Sequence, residues 1–428
     1  MNDIYKSPEY RRSRVAYHIQ CVTEYLAGLL VADAFLAKLL KNIGLSDSTI
    51  GIVASLMSLA FLIQLATIFL MQHIRDVKKT VIVFDVSSML CFTCTYLLPF
   101  IPVSQTVRSV LVFVTIGGGF LFKYLQLNLY YKWGNSFVKP ENRGVFSARN
   151  EAISQAAGVI FTLVMGGSVD WFEKQGQLEK SFLIIACVIG LLTVADLAML
   201  LMIRNYSAEA TRRQKKPFGQ VLKNTLGNRN FRNVVIMISM YDIGRYLTVG
   251  FLGTFKTQDL LLTVGAVQLI NICASILRCA LSRPAGKWAD RTSFAHVYRM
   301  GLWVCALSFF LLIFTTKECW WLIIAYTLLY NVAMTAIPGN ANNMTYSYVP
   351  IDYFVQAQAI RSSIAGTLGF LASLLGSRIL AAVQANGNMM FGIPMHGQQL
   401  LAGMSLCVIL TAIVFNKCVV EKQAVMKQ

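Results

Sequence analysis

Charge and histidine are scarce in this chain: Asp, Glu, Lys and Arg make up 14% of its 428 residues, and only four histidines occur (His18, His73, His296, His396). So few charges cannot cover a water-soluble fold of this size. With 56% hydrophobic residues and a mean hydropathy of +0.57, much of the surface must face lipid. Acids are scarcer still, 20 against 38 bases, a net charge of +18. On a soluble domain that excess would point to nucleic acid, but here the cations stand between long apolar runs, so no nucleic-acid partner is expected. No GxxxxGK[ST] sequence is present, which disfavours direct drive by ATP. The histidines are scattered rather than clustered at span ends, and no group has metal-ligand spacing, so neither an enzyme nor a metal or other cofactor is expected. Most of the ten cysteines fall inside apolar runs and read as small packing residues, including the CxxC pair Cys91 and Cys94, which has no βαβ context. The first 20 residues are polar and basic, and no short apolar core with a small-residue cleavage site follows, so a cleaved signal peptide is not expected.

What is abundant is long apolar runs. Crossing ~30 Å of hydrocarbon takes about 20 mostly apolar residues. Twelve such stretches emerge: Cys21 to Leu40, Ile50 to Met71, Val81 to Ile101, Val110 to Tyr131, Ile153 to Trp171, Phe182 to Ile203, Val234 to Phe255, Thr263 to Leu281, Val297 to Phe314, Cys319 to Asn340, Ile364 to Val383 and Leu400 to Phe415. Between the sixth and seventh, Arg204 to Arg232 holds Arg204, Arg212, Arg213, Lys215, Lys216, Lys223, Arg229 and Arg232 against the single acid Glu209. The expected organisation is therefore a six-helix bundle over 1–203, a basic linker over 204–232 and a second six-helix bundle over 233–428. If the N-terminus is cytoplasmic, most Lys and Arg share its side, and few (Lys38, Lys41, Arg108, Lys174, Lys180, Lys256, Lys317) lie opposite. By the positive-inside rule both termini are then cytoplasmic, in a multi-pass protein of the cell membrane.

The two halves also repeat. Pro140 and Pro350, Arg149 and Arg361, and Arg75 and Arg291 recur at a nearly constant offset, each pair in corresponding loops or span starts. Between spans eight and nine stands Gly286-Lys287-Trp288-Ala289-Asp290-Arg291, between spans two and three Arg75-Asp76-Val77-Lys78-Lys79, and after span four Pro140-Glu141-Asn142-Arg143-Gly144. In these residues the chain resembles the major facilitator superfamily. The first segment matches that family's GxxxDR loop motif; the second keeps its basic residues but lacks the glycine. The third is similar to its PExxRG pattern, with one residue fewer. The resemblance implies an all-α membrane protein of 12 transmembrane helices in two pseudo-symmetric six-helix bundles, working by alternating access. It implies a cytoplasmic gate built from Arg75, Lys78, Lys79, Arg143, Gly286, Asp290 and Arg291. There Asp290 and Arg291 engage Arg361 at the start of span eleven, and Arg149 and Glu151 are the mirrored positions on span five. Physically, a glycine would let one helix end pack closely on its neighbour while the acid and base bond across a closed face.

Charge inside a span costs about 2.5 to 3.5 kcal/mol on insertion scales, so each such group asks for a partner or a hydrated cavity. Asp33 lies midway along span one, Lys123 along span four, and Asp242 and Arg245 along span seven, three residues apart on one helical face. Asp33 and Arg245 occupy equivalent positions in the halves and could meet. Asp85, Asp196 and Arg378 lie in spans three, six and eleven. By the resemblance, spans one, four, seven and ten line the cavity, which makes Asp33, Lys123, Asp242 and Arg245 the central candidates and Asp85 and Asp196 structural. The alternative for Asp242 and Arg245 is a self-contained ion pair. Span four adds Gly117-Gly118-Gly119, Tyr124, Gln126 and Asn128. Span ten adds Asn331 and reads as interrupted at Pro338-Gly339, with Asn340, Asn342 and Asn343 beyond. Tyr241 and Tyr246 could stack on a solute, and Asn271 in span eight is a further candidate.

The resulting expectation is a secondary transporter of a small polar or zwitterionic organic solute, with Asp33 the first choice for a proton-coupling or substrate-binding carboxylate. A coupling proton or cation is then a further partner beside the solute and the bilayer. Drug efflux is the alternative, although none of the nine prolines follows a glycine as in antiporter motifs of span five. A membrane-embedded receptor or enzyme is the alternative of a different class.

Overall fold

The structure is a computed structural model that describes residues 7–63, 74, 76–134, 137–138, 143–204, 218–349, 353–390 and 392–425. Its helices, in chain order, are α1 (Pro8–Leu30), α2 (Asp33–Asn42), α3 (Asp47–Ala60), α4 (Val77–Leu97), α5 (Gln105–Gly134), α6 (Arg143–Lys174), α7 (Leu178–Met202), α8 (Phe218–Leu226), α9 (Arg229–Thr248), α10 (Val264–Arg291), α11 (Phe294–Ile313), α12 (Trp321–Tyr348), α13 (Phe354–Ala385), α14 (Gly397–Phe415) and α15 (Glu421–Val425). The only strands among the described residues are β1 (Met389–Met390) and β2 (Ile393–Pro394), a small antiparallel hairpin before α14. Helix starts are set locally. Ser7, Ser46, Asp76, Thr263 and Ser293 each offer a side-chain oxygen to a backbone N–H three residues on, and Asn228 does so two and three residues on, satisfying amides the first turn leaves open.

Among the described residues, ten helices are long and apolar enough to cross a membrane, or eleven if the bent pair α1 and α2 counts as one span. The shorter apolar stretch Asp47–Ile63 stands where the second span was expected, and the rest of that span lies outside the described residues. Large apolar side chains cover the outer helix faces: Leu191 and Ile160 are 70% and 69% exposed, and Val83, Val114, Val164 and Val194 are exposed as well. In water such a surface would aggregate; against acyl chains it is the solvated state. The fold is that of an all-α membrane protein.

Two compact units form. One comprises residues Met1–Leu45 and Ile63–Lys215, the other Ser46–Leu62 and Lys216–Gln428. In the first, α4 packs on α5 and α7, and α1 on α6 and α7. In the second, α11 packs on α12 and α14, α9 on α13 and α14, α10 on α12, and α3 on α13. The α3 segment, which the linker-based division assigns to the first half, thus belongs to the second unit. Its small residues explain the seating: Ser55 and Ser373 join Oγ to Oγ at 2.6 Å, and a side chain on Gly51 would run into the Phe251 ring.

Two local expectations are corrected. Span ten is not interrupted at Pro338-Gly339, because α12 runs through both; Pro338 removes one helix bond to Met334, while Asn340 Nδ2 bonds Ala336 O at 2.7 Å. Span one is broken instead: α1 and α2 meet at 45°, and Asp33, the first residue of α2, has φ +44°. A left-handed conformation at a residue other than glycine marks a strained backbone.

Candidate functional site

Four helices of the second unit present polar residues at helical spacing toward one cavity of about 270 Å³. On α9 these are Tyr241, Asp242 and Arg245, with Tyr246 beside them; on α11, Tyr298; on α12, Met334, Pro338 and Asn342; on α13, Gln358 and Arg361. The steps of three and four residues put each set on α9, α12 and α13 on one helix face. Phe61, just beyond α3, closes part of the wall.

Its electrostatics follow from what each charge touches. Asp242 and Arg245 make no ion pair with each other within 4.0 Å, so the self-contained pair is not formed. Arg245 instead lies over the Tyr246 ring, Cζ 5.0 Å from its centroid. Arg361 is 7% exposed and donates to two neutral oxygens, Thr345 Oγ1 at 3.0 Å and Asn342 Oδ1 at 2.8 Å. Gln358 Nε2 donates to the same Asn342 oxygen at 3.1 Å. Two guanidiniums and one carboxylate therefore face one cavity, with tyrosines around them. Such a wall can hold an anionic group at the arginines, a cationic or hydrogen-bonding group at Asp242, and a flat apolar part against the rings.

The structure does not bring Asp290 and Arg291 onto Arg361. Asp290 and Arg291 stand exposed at the end of α10, and neither forms a hydrogen bond or ion pair with Arg361, whose guanidinium is turned to Asn342 and Thr345. Nor does Gly286 serve close packing, since a side chain there would meet nothing within 4 Å. In the first unit Arg149 and Glu151 are both exposed and unpaired with each other, and His18 bonds the intervening Asn150 instead. Lys78 donates to Leu201 O at 2.7 Å and Ile203 O at 2.6 Å, tying the start of α4 to the last carbonyls of α7. Lys79 is exposed beside Asp76. Arg143 opens α6, its side chain lying outside the described residues, as does Arg75 altogether.

Of the remaining candidates, Asn271 and Asn331 do not line the cavity, and Asn331 Nδ2 bonds Thr327 O of its own helix at 2.9 Å. Lys123 pairs with Glu24 of α1 at 3.2 Å, and Gln126 Nε2 donates to Asp85 Oδ1 at 2.6 Å; both belong to a polar cluster inside the first unit. Asp33 sits half-buried at the α1–α2 break. Tyr298 and Gln358 were not singled out from the sequence, because a neutral polar residue in a helix carries no signal of its own. Glu24 did carry one, as an acid in an apolar run, but it stands too near the span's end to rank with Asp33.

With this geometry in hand, known structures supply a comparison. Similar folds occur in the nucleoside transporter NupG (TM-score 0.69, 12% identity, covering 96% of this chain and 99% of that one) and in a bacterial homologue of the human lysosomal transporter Spinster, in an inward-facing, unoccupied conformation (0.67, 11%, 97% and 97%). A peptide transporter, POT, in complex with sulfate is similar as well (0.68, 10%, 97% and 95%). No family profile matches the sequence, and no curated protein matches it. The chain has the major facilitator fold, as the loop segments implied.

Proposed function

We propose that this protein is a secondary transporter that moves a small organic solute, polar or zwitterionic and bearing an anionic group, across the cell membrane by alternating access. The observation that carries the reading is the cavity of the second unit, where half-buried Asp242 and Arg245 and buried Arg361 line one space without closing on one another. Leaving three ionic groups to line one cavity inside the helices is costly unless a ligand completes them. The full-length likeness to transporters of nucleosides and peptides supports the class, and those two solute types are the first to try. By the positive-inside rule this reading has both termini and the basic 204–232 segment at the cytoplasmic face.

Uptake by proteoliposomes decides the matter. Purified protein is reconstituted and offered labelled amino acids, dipeptides, nucleosides and organic acids, with and without an imposed proton gradient. Saturable uptake of at least one anionic or zwitterionic solute is expected, reduced about tenfold or more in Asp242→Asn or in Arg245→Gln, the loss that ~1.4 kcal/mol of binding represents. Uptake confined to lipophilic cations, with both variants active, would overturn the solute class.

A further inference from the structure

The cavity reading leaves the polar cluster of the first unit unused, and that cluster has a chemistry of its own. Asp85 on α4 and Asp196 on α7 are 1% and 0% exposed, and their side chains lie within hydrogen-bonding reach of each other. Gln126 Nε2 serves Asp85 Oδ1 at 2.6 Å, but Asp85 Oδ2, Asp196 Oδ2 and Gln126 Oε1 are buried without a hydrogen-bond donor. Gln126 is 2% exposed, and with its amide nitrogen on Asp85 the amide oxygen is held at the same spot. Three buried acceptors lacking a donor in one place need hydrogen or a cation.

Two further observations favour hydrogen. Thr23 Oγ1 lies 2.8 Å from Gln20 O and 2.6 Å from Asp196 Oδ1, yet a hydroxyl has one hydrogen. If it serves the carbonyl, the carboxyl group must supply the hydrogen of the second bond. The charges agree. Glu24 from α1 and Lys123 from α5 face the pair, but they are matched to each other at 3.2 Å. Cys21 and Tyr130, bonded to one another at 3.1 Å, and Tyr17, stacked on Tyr130, are the further titratable groups of the cluster among the described residues. α6, which also packs on α7, has no charged residue between Glu151 and Asp170. Three carboxyl groups thus share one ammonium, and two ionised carboxylates in contact away from water repel strongly.

We infer that Asp85 and Asp196 form a proton-binding site in which the pair of carboxyl groups holds one proton. Taking up one proton converts a pair of charge −2 into one of charge −1, with no other reactant. Gln126 and Lys123 sit three residues apart on α5, so a shift of α1 against α5 that parts Glu24 from Lys123 changes the charge this pair meets and hence its hold on the proton. That use in coupling rests on the transport reading; the proton site does not.

Infrared spectroscopy of the full chain in lipid tests it without any solute. At neutral pH the wild type should show the carbonyl stretch of a protonated carboxylic acid, shifted in heavy water and by aspartate labelled with heavy carbon at its side-chain carboxyl. The band should titrate away toward alkaline pH, move its midpoint in Asp85→Asn and in Asp196→Asn, and vanish in the double variant. The label assigns the band to aspartate and the two single variants assign it to this pair, so a failure of the double variant to fold leaves the test standing. Absence of the band, insensitivity to the aspartate label, or its appearance only after sodium is replaced by choline would overturn the inference, the last by assigning the site to a metal cation. A chain that transports none of the solutes above can still pass, and an active transporter can fail.

Discussion

A guanidinium held by two neutral oxygens is fixed in place while its charge stays available. That is the position of Arg361, bonded to Asn342 and Thr345 with no carboxylate against it. Lysine carries the same charge but is a point donor that cannot serve both oxygens and a bound anion in one plane. Arg361→Lys is therefore expected to weaken binding of the transported solute by about tenfold to a hundredfold, roughly 1.4 to 2.8 kcal/mol, with folding largely retained. Titration calorimetry on the purified variant reads this directly, and an unchanged Kd would remove Arg361 from the site. At this scale the sequence was informative where charge interrupts an apolar run, as at Asp242, Arg245 and Lys123. It was silent on Tyr298 and Gln358, and it did not read Arg361 as a cavity residue, because proximity to a loop motif says nothing about which way a helical side chain turns.

Helices in this fold are held by close approach as much as by burial. Ser88 Oγ donates to Gly119 O at 2.8 Å, and a methyl group on Gly119 would press into the Phe92 ring from the neighbouring helix. The Gly117-Gly118-Gly119 run thus brings α5 against α4 rather than breaking the helix. Gly119→Ala should destabilise the protein by ~1–3 kcal/mol, and Phe92→Leu in the same chain should recover part of that loss by yielding space. Melting temperatures of the three variants by fluorescence-detected chromatography check the compensation; strictly additive losses would count against the contact. A second element-scale contact is titratable. His396, just before α14, lies 3.4 Å from Asp259 Oδ1 beyond the end of α9, and the hydrogen bond to Asp259 holds its pKa above the ordinary 6.5 despite burial. A raised folded value means the contact stabilises fully below about pH 6.5, the unfolded value, and is lost as pH rises through the folded one. His396→Gln should therefore lower Tm at mildly acidic pH and leave it unchanged at alkaline pH, whereas an equal loss at both would show that only packing was removed.

At the scale of the whole molecule, hydropathy sufficed for the membrane class, since it is a sum over many residues that no single error reverses. The membership of α3 was not legible. Its sequence, Asp47–Ala60, is apolar with scattered Gly and Ser, and nothing in it tells a neighbour from the same half from one in the other. The structure seats it on α13 in the second unit, while the residues on either side, up to Leu45 and from Ile63, belong to the first. A mechanism in which the two bundles move against one another must then part α3 from α13 or carry it with them. Ser55 and Ser373, Oγ to Oγ at 2.6 Å, give a means to ask which. Side chains this close bring their β-carbons within the range of a disulfide, so Ser55→Cys with Ser373→Cys should cross-link on mild oxidation. If the contact must open in each cycle, the oxidised protein should keep less than about a tenth of the uptake of its reduced form, a loss of more than ~1.4 kcal/mol in the accessible state, and dithiothreitol should restore it. Each single cysteine variant should be indifferent to oxidation, which separates the tether from effects on the ten native thiols. Full transport by the cross-linked chain would mean that α3 travels with α13 throughout, and the moving boundary would then have to be sought in the chain on either side of this helix.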